Sequence, residues 1–92
     1  MIQKTFTIKH GVGLHARPAA KFVKLAKGFE SSIRVRNVTR DGDEVDAKSL
    51  VKVIKIAAAQ NHDVLLSVDG PDEQEAMNGL ADFLTNVPQE EQ

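Results

Sequence analysis

The run Gly13-Leu14-His15-Ala16-Arg17-Pro18-Ala19-Ala20 gathers the residues of this chain best suited to chemistry. A histidine stands where a helix is about to begin, an arginine follows two places on, and a proline comes next. Proline fits the first turn of a helix, where its missing N–H would have no intrahelical acceptor. The free N–H groups and positive dipole end of such a turn favour an anion. Arg17 adds a planar, permanently charged fork that matches phosphate oxygens. An imidazole beside an anion site is a nucleophile that can take up a phosphoryl group and then hold it.

A turn acts in this way only if flanking elements hold it. Residues Gln3 to Lys9 alternate polar and apolar through Phe6 and Ile8, the period of a half-buried strand, and Gly11 to Gly13 is a loop. From Ala16 to Lys27 the apolar Ala19, Phe22, Val23 and Ala26 keep helical spacing, while Lys21, Lys24 and Lys27 fall elsewhere on the wheel. Gly28 suits a helix stop at C′, with Phe29 folding back on the last turn. Ser32 to Val38 reads as a second strand, and Asp41-Gly42-Asp43 turns the chain into a short partner around Glu44 to Ala47.

Ser49 is placed to cap a helix from Leu50 to Ala59. The β-branched Val51, Val53, Ile54 and Ile56 would also suit a strand, and their doublet spacing with Lys52 and Lys55 decides for helix. Val64 to Val68 is a nearly continuous apolar run, expected as a central strand. Gly70-Pro71-Asp72 opens a last helix through Ala76, Met77, Leu80, Phe83 and Leu84, in which Gly79 costs about 1 kcal/mol relative to alanine. Fraying is expected from Val87 to Gln92. The order β-α-β-β-α-β-α implies an α+β sandwich, one antiparallel sheet covered on one face by helices.

Bulk properties narrow the function classes. Ninety-two residues fill one small domain, here residues 1–88 with a frayed tail at 89–92. With 41% hydrophobic and 27% charged residues, the composition is that of a globular protein rather than a disordered one. Without cysteine there is no disulfide framework and no thiolate metal site, and His10 and His62 lack metal-ligand spacing. No apolar run approaches the roughly 18 residues of a membrane span and no signal-peptide core opens the chain, so a cytoplasmic location is expected.

The net charge of −1 hides a polarity. All twelve lysines and arginines lie between Lys4 and Lys55, against five acids there (Glu30, Asp41, Asp43, Glu44 and Asp46). From Asp63 onward there are eight acids and no base. If the early elements share a face, it steers acidic partners toward itself; if the charges cancel in three dimensions, it is merely a solvated surface.

The motif Gly13-Leu14-His15-Ala16-Arg17-Pro18-Ala19, with Phe22 and Val23, resembles the active-site signature of HPr. That family comprises the histidine-containing phosphocarriers of the bacterial phosphoenolpyruvate-dependent sugar phosphotransferase system. Ala47-Lys48-Ser49-Leu50 is similar to the segment opening the family's second helix, and Asp72-Glu73-Gln74-Glu75-Ala76 follows its last helix, so the likeness spans nearly the whole chain. It implies an open-faced sandwich with a four-stranded antiparallel sheet and three helices on one face.

It also implies a role. His15 accepts a phosphoryl group from phosphorylated Enzyme I and passes it to sugar-specific enzyme IIA components. Arg17 and the backbone N–H groups of Ala16 and Arg17 stabilise the phosphate. The chain is then a monomeric carrier in a relay, with no cofactor, no metal, no membrane insertion and little catalysis of its own. The chemistry agrees: a histidine with the ordinary pKa of about 6.5 is a neutral nucleophile near neutral pH. Phosphoryl transfer itself depends mainly on positioning and charge stabilisation.

Partner recognition in the family uses the surface beside the histidine and the start of the second helix. Matching positions are Ala20, Lys24, Lys27, Leu50, Val51, Lys52 and Ile54; Val53, Ile56 and Ala57 are expected in the core. In HPr proteins of many Gram-positive bacteria the serine equivalent to Ser49 is also phosphorylated by a dedicated kinase. The resemblance therefore implies a regulatory phosphate there, set against a plain helix cap worth about 1 kcal/mol.

Three features depart from the family pattern: a longer stretch from Asn37 to Val45, Ala57-Ala58 where glycine is common, and Asn61 in place of a turn glycine. Asparagine tolerates the left-handed conformation that such a turn demands. Two rival functions are weaker. A nucleic-acid module has against it a net negative charge and four phenylalanines as the sole aromatics. A regulatory HPr-like protein acting mainly by protein–protein interaction would not need the histidine that this chain retains.

Overall fold

The computed structural model describes residues 1–8, 16–56 and 61–91, the side chains of residues 16–18 and 85–91 excepted. Among the described residues, the elements run β1 (Ile2–Thr7), α1 (Ala16–Lys27), β2 (Ser32–Asn37), β3 (Val45–Asp46), α2 (Leu50–Lys55), β4 (Asp63–Asp69) and α3 (Glu73–Glu91). The strands form one antiparallel sheet in the order β1-β4-β2-β3. The apolar run of β4 thus lies between two neighbours, as its composition led us to expect.

Period-two alternation separates the two faces of the sheet. Val64, Leu66 and Val68 of β4 and Ile33 and Val35 of β2 are buried on the covered face. The register places Gln3, Ser67, Arg34 and Asp46 in one row of the other face, and Thr5, Leu65 and Arg36 in the next. The helices close the covered face with Ala19, Phe22, Val23 and Ala26 of α1, Val53 of α2, and Ala76, Met77, Leu80 and Leu84 of α3. The rings of Phe22 and Phe83 lie 6.1 Å apart between α1 and α3. Burying a side chain such as Phe22 stabilises by about 1.5–3 kcal/mol. Among the described residues, no helix is long and apolar enough to cross a membrane.

The turns hold α1 in place. Asp72 ends the β4–α3 turn, and its carboxylate accepts from the backbone N–H groups of Glu30 and Ser31, both at 2.9 Å, and from the Ser31 hydroxyl. These bonds, led by that of the hydroxyl, hold the Asp72 carboxyl below its ordinary pKa. The Lys48 ammonium donates to the Phe29 carbonyl at 2.8 Å, tying the same α1–β2 turn from another side. Gly70 has a φ of +156° and sits so close to Ser31 that a Cβ would lie 2.6 Å from the Ser31 Cα. Only glycine fits there.

Local expectations fare differently from one element to the next. Gly28 follows α1 without a positive φ; its N–H donates to the Leu25 carbonyl, so the helix closes in a tight turn rather than a left-handed cap. Ser49 is the N-cap residue of α2, but its hydroxyl makes no cap hydrogen bond; its carbonyl accepts from the Val53 N–H at 3.0 Å. Helix α2 ends at Lys55 with Ile56 as C-cap, and the expected continuation to Ala59 lies outside the described residues. Backbone helix in α3 runs to Glu91, across the stretch read as frayed. Gly79, read only as a weak point, leaves room for Phe29: a Cβ there would lie 3.3 Å from the Phe29 Cζ. Asp41 (φ 52°) and Asn61 (φ 71°) take the left-handed conformation that their turns require.

Candidate functional site

Helix α1 begins at Ala16 because the apolar spacing starts there and Pro18 occupies its first turn. His15 lies outside the described residues, as do the side chains of residues 16–18. Ala16 and Arg17 supply the first backbone N–H groups of the helix, which have no intrahelical acceptors. No acidic residue occupies that first turn, so nothing in it competes with an incoming anion.

From Arg17 the positions 17, 20, 24 and 27 form one stripe along α1 at helical spacing. Ala20, Lys24 and Lys27 are exposed on it, while Ala19, Phe22, Val23 and Ala26 turn into the core. Facing the stripe is α2, whose residues share out as a short amphipathic turn must. Val53 and the C-cap Ile56 are buried; Leu50, Val51 and Ile54 are 40%, 62% and 38% exposed, and Lys52 is exposed. Of the positions singled out as a contact surface, Ala20, Lys24, Lys27 and Leu50 meet in one cleft, whereas Val51, Lys52 and Ile54 are exposed on α2 outside its lining; Val53 and Ile56 fall in the core as expected. Ala57 lies outside the described residues.

Between the two helices Ala20, Val23, Lys24, Lys27 and Leu50 line a cleft of about 220 Å³. Its floor is apolar and its rim carries two ammonium groups. Val23 was read as core alone; at 4% exposure it is also the floor of this cleft. The cleft follows the stripe from Ala20 to Lys27, beginning about one turn after the start of α1. Neither α1 nor α2 contains an aspartate or glutamate, and this face is basic wherever it is charged. Such an apolar centre with a cationic rim suits brief docking of an acidic partner.

Two features near these helices had no signal in the sequence. Buried Asn37 donates through Nδ2 to the Ile56 carbonyl at the end of α2 and lies 3.0 Å from His62 Nδ1. Lys48 donates to the Phe29 carbonyl instead of joining the basic rim. Both pairings depend on chain neighbours far apart in sequence.

Comparisons with known proteins agree with this geometry. A family model described as "PTS HPr component phosphorylation site" matches residues 2–86. The phosphocarrier protein HPr of Cupriavidus necator is 44% identical over 86 residues, which cover 94% of this chain and 93% of that protein. A multiphosphoryl transfer protein of Vibrio cholerae is 50% identical over 76 residues, 83% of this chain. The match spans only 19% of that longer protein. The solved structure of HPr-C-His from Thermoanaerobacter tengcongensis superimposes with a TM-score of 0.85 at 41% identity, covering 92% of each chain.

Proposed function

The chain belongs to the HPr family of the phosphotransferase system, and from that premise we propose that His15 carries a phosphoryl group from phosphorylated Enzyme I to enzyme IIA components. In this reading an imidazole nitrogen attacks phosphorus, and the bond from phosphorus to its donor on Enzyme I breaks as the new one forms. Transfer to the acceptor reverses the step. Arg17 and the backbone N–H groups of Ala16 and Arg17 neutralise the phosphate at the helix start. The observation that carries the proposal is the apolar, lysine-rimmed cleft along α1, whose lining begins at Ala20, about one turn after the helix start. Both donor and acceptor must approach the helix start, and a shared, shallow docking face lets each one leave.

Incubation with Enzyme I and phosphoenolpyruvate tests the proposal. An acid-labile, base-stable phosphoryl group is expected on the wild type and absent from His15→Ala. No labelling by a cognate Enzyme I leaves the alternative, a regulatory HPr-like protein acting by contact alone. Sedimentation of the same sample distinguishes the monomer of this reading from a dimer.

A regulatory phosphate at Ser49 is a second part of the proposal. What favours it is the N-cap position with a hydroxyl not engaged in capping. A phosphate there would meet the N–H groups opening α2 and place negative charge at the edge of the cleft, opposing an acidic partner. Mass spectrometry after incubation with the organism's own kinase checks it; an unmodified Ser49 removes the regulatory role and leaves the carrier role standing.

A further inference from the structure

On the phosphocarrier role proposed above, we infer that Asn37 and His62 act as a positioning pair, a buried hydrogen-bonded knot that fixes Ile8 and hence the chain leading to His15. Asn37 is the last residue of β2 and faces the core, where an apolar residue would need no partners. A buried amide is costly unless its hydrogen bonds are made, and here they are. Its Nδ2 donates to the Ile56 carbonyl at 3.0 Å, and its Oδ1 accepts from the Arg40 N–H at 3.2 Å.

These partners settle the orientation of the amide. A carbonyl oxygen only accepts, so the atom facing Ile56 is nitrogen. Its second hydrogen is then available to His62 Nδ1, 3.0 Å away, and that ring atom must accept. The geometry therefore assigns His62 the neutral tautomer with its proton on Nε2.

From His62 the constraint passes to the chain before the site. The Ile8 N–H donates to the His62 carbonyl at 2.9 Å, and the Ile8 carbonyl accepts from the Asn61 N–H. Ile8 is fully buried and is the last described residue before the stretch holding His15. One side-chain amide thus joins the end of α2, His62 just before β4 and, through the His62 carbonyl, Ile8 just after β1. Satisfied buried networks of this kind fix one arrangement among several that an apolar core would allow.

The test compares His62→Leu, which removes the ring acceptor, with His62→Asn, whose side-chain oxygen can replace it. Both are judged against wild type for transfer from phosphorylated Enzyme I, for Ile8 amide exchange and for thermal midpoint. His62→Leu is expected to lower kcat about tenfold with KM unchanged, because positioning is lost while the docking cleft is intact. Its Ile8 amide should exchange faster, and His62→Asn should restore both properties. A nitrogen NMR spectrum of the wild type should show His62 protonated on Nε2. Wild-type kcat and exchange in His62→Leu, no rescue by His62→Asn, or a proton on Nδ1 overturns the inference. If the wild type takes up no phosphoryl group at all, the carrier role falls; Ile8 exchange and the ring spectrum still decide whether the knot holds Ile8.

Discussion

The two broad faces of this molecule treat charge in opposite ways. On the open face of the sheet, several charges and polar groups pair locally, although Arg36 Nε is buried without a hydrogen-bond partner among the described residues. Arg34 Nε meets Glu44 Oε1 at 3.0 Å, Arg36 Nη2 meets Asp41 Oδ1 at 3.2 Å, and the Thr7 hydroxyl donates to Asp63. Ser67, between them, accepts from Gln3 and donates toward Glu44. Along α1 and α2, two helices without a single carboxylate, Lys24 and Lys27 line a cleft with Leu50, and Val51, Lys52 and Ile54 are exposed.

Part of the basic excess of residues 4–55 is thus placed differently on the two sides. Arg34 and Arg36 pair with acids of the β2–β3 connection, whereas Lys24 and Lys27 line the apolar cleft. Sequence charge alone left open whether the early elements form a steering face or cancel. Near the open sheet face Arg34 and Arg36 meet acids, whereas α1 and α2 carry lysines and no carboxylate. The difference fits the docking role proposed for the α1–α2 surface.

The largest effect should come from charging the centre of the cleft. Leu50→Glu removes its apolar wall without touching the core, since Leu50 is 40% exposed. The transfer efficiency kcat/KM with Enzyme I should fall about 30-fold, the size expected for an interface anchor worth about 2 kcal/mol, with thermal midpoint unchanged. Equal loss from a charge placed on the open sheet face would erase the contrast between the faces. Next come the rim charges. Lys24→Glu and Lys27→Glu should each slow association about threefold to tenfold at low salt, with the deficit shrinking as salt is raised. Stopped-flow rates over a salt series check this; a deficit independent of salt would mean that the lysines make direct contacts and do not steer.

Much of this contrast was legible in the sequence. Spacing located α1 and its exposed stripe, and resemblance marked Leu50, Val51 and Ile54 as surface on a helix otherwise read as core or strand. The chemistry of asparagine anticipated the positive φ of Asn61. Side chains that leave their own element were not legible. Asp72 was read as the opening of α3, yet its carboxylate serves the turn before β2. Asn37 and His62 are 25 residues apart, and nothing local signals that they meet. Gly79 looked like a defect because the ring of Phe29, which occupies its missing Cβ, comes from another helix end. Periodicity reports which way a residue faces; it carries no record of what arrives there from elsewhere in the chain.

Asp72 sharpens the comparison by depending on pH where the docking face depends on salt. Its carboxyl is held below the ordinary value chiefly by the Ser31 hydroxyl and then by the Glu30 N–H, with the Ser31 N–H adding to them. A depressed folded pKa means that the stabilisation is present above the unfolded value and is lost as pH falls through the folded one. Asp72→Asn should therefore be less stable than wild type near neutrality, and the gap should close well below about pH 4, the ordinary range of an unfolded aspartate. Urea midpoints at both pH values measure it. A gap that persists undiminished in acid would show that the charged form has no special place in the clamp. Transfer at neutral pH should be unaffected wherever the variant remains folded, since the clamp lies at the far end of α1 from Arg17.

The smallest effect is expected where ion pairs are most visible. Arg34 and Glu44 make a short contact, but their side chains are 49% and 39% exposed, so water screens the attraction and two mobile side chains must be ordered to make it. Arg34→Gln should change stability by no more than about 1 kcal/mol at moderate salt and by less as salt is raised. It should leave transfer from Enzyme I unchanged, because the row holding Arg34, Ser67 and Gln3 lies on the sheet face away from α1 and α2. A fall in transfer without loss of stability would reveal that the open face also meets a partner. In that case its paired charges would be a docking surface at rest, and the division of labour between the two faces would fail at the pair that most clearly represents it.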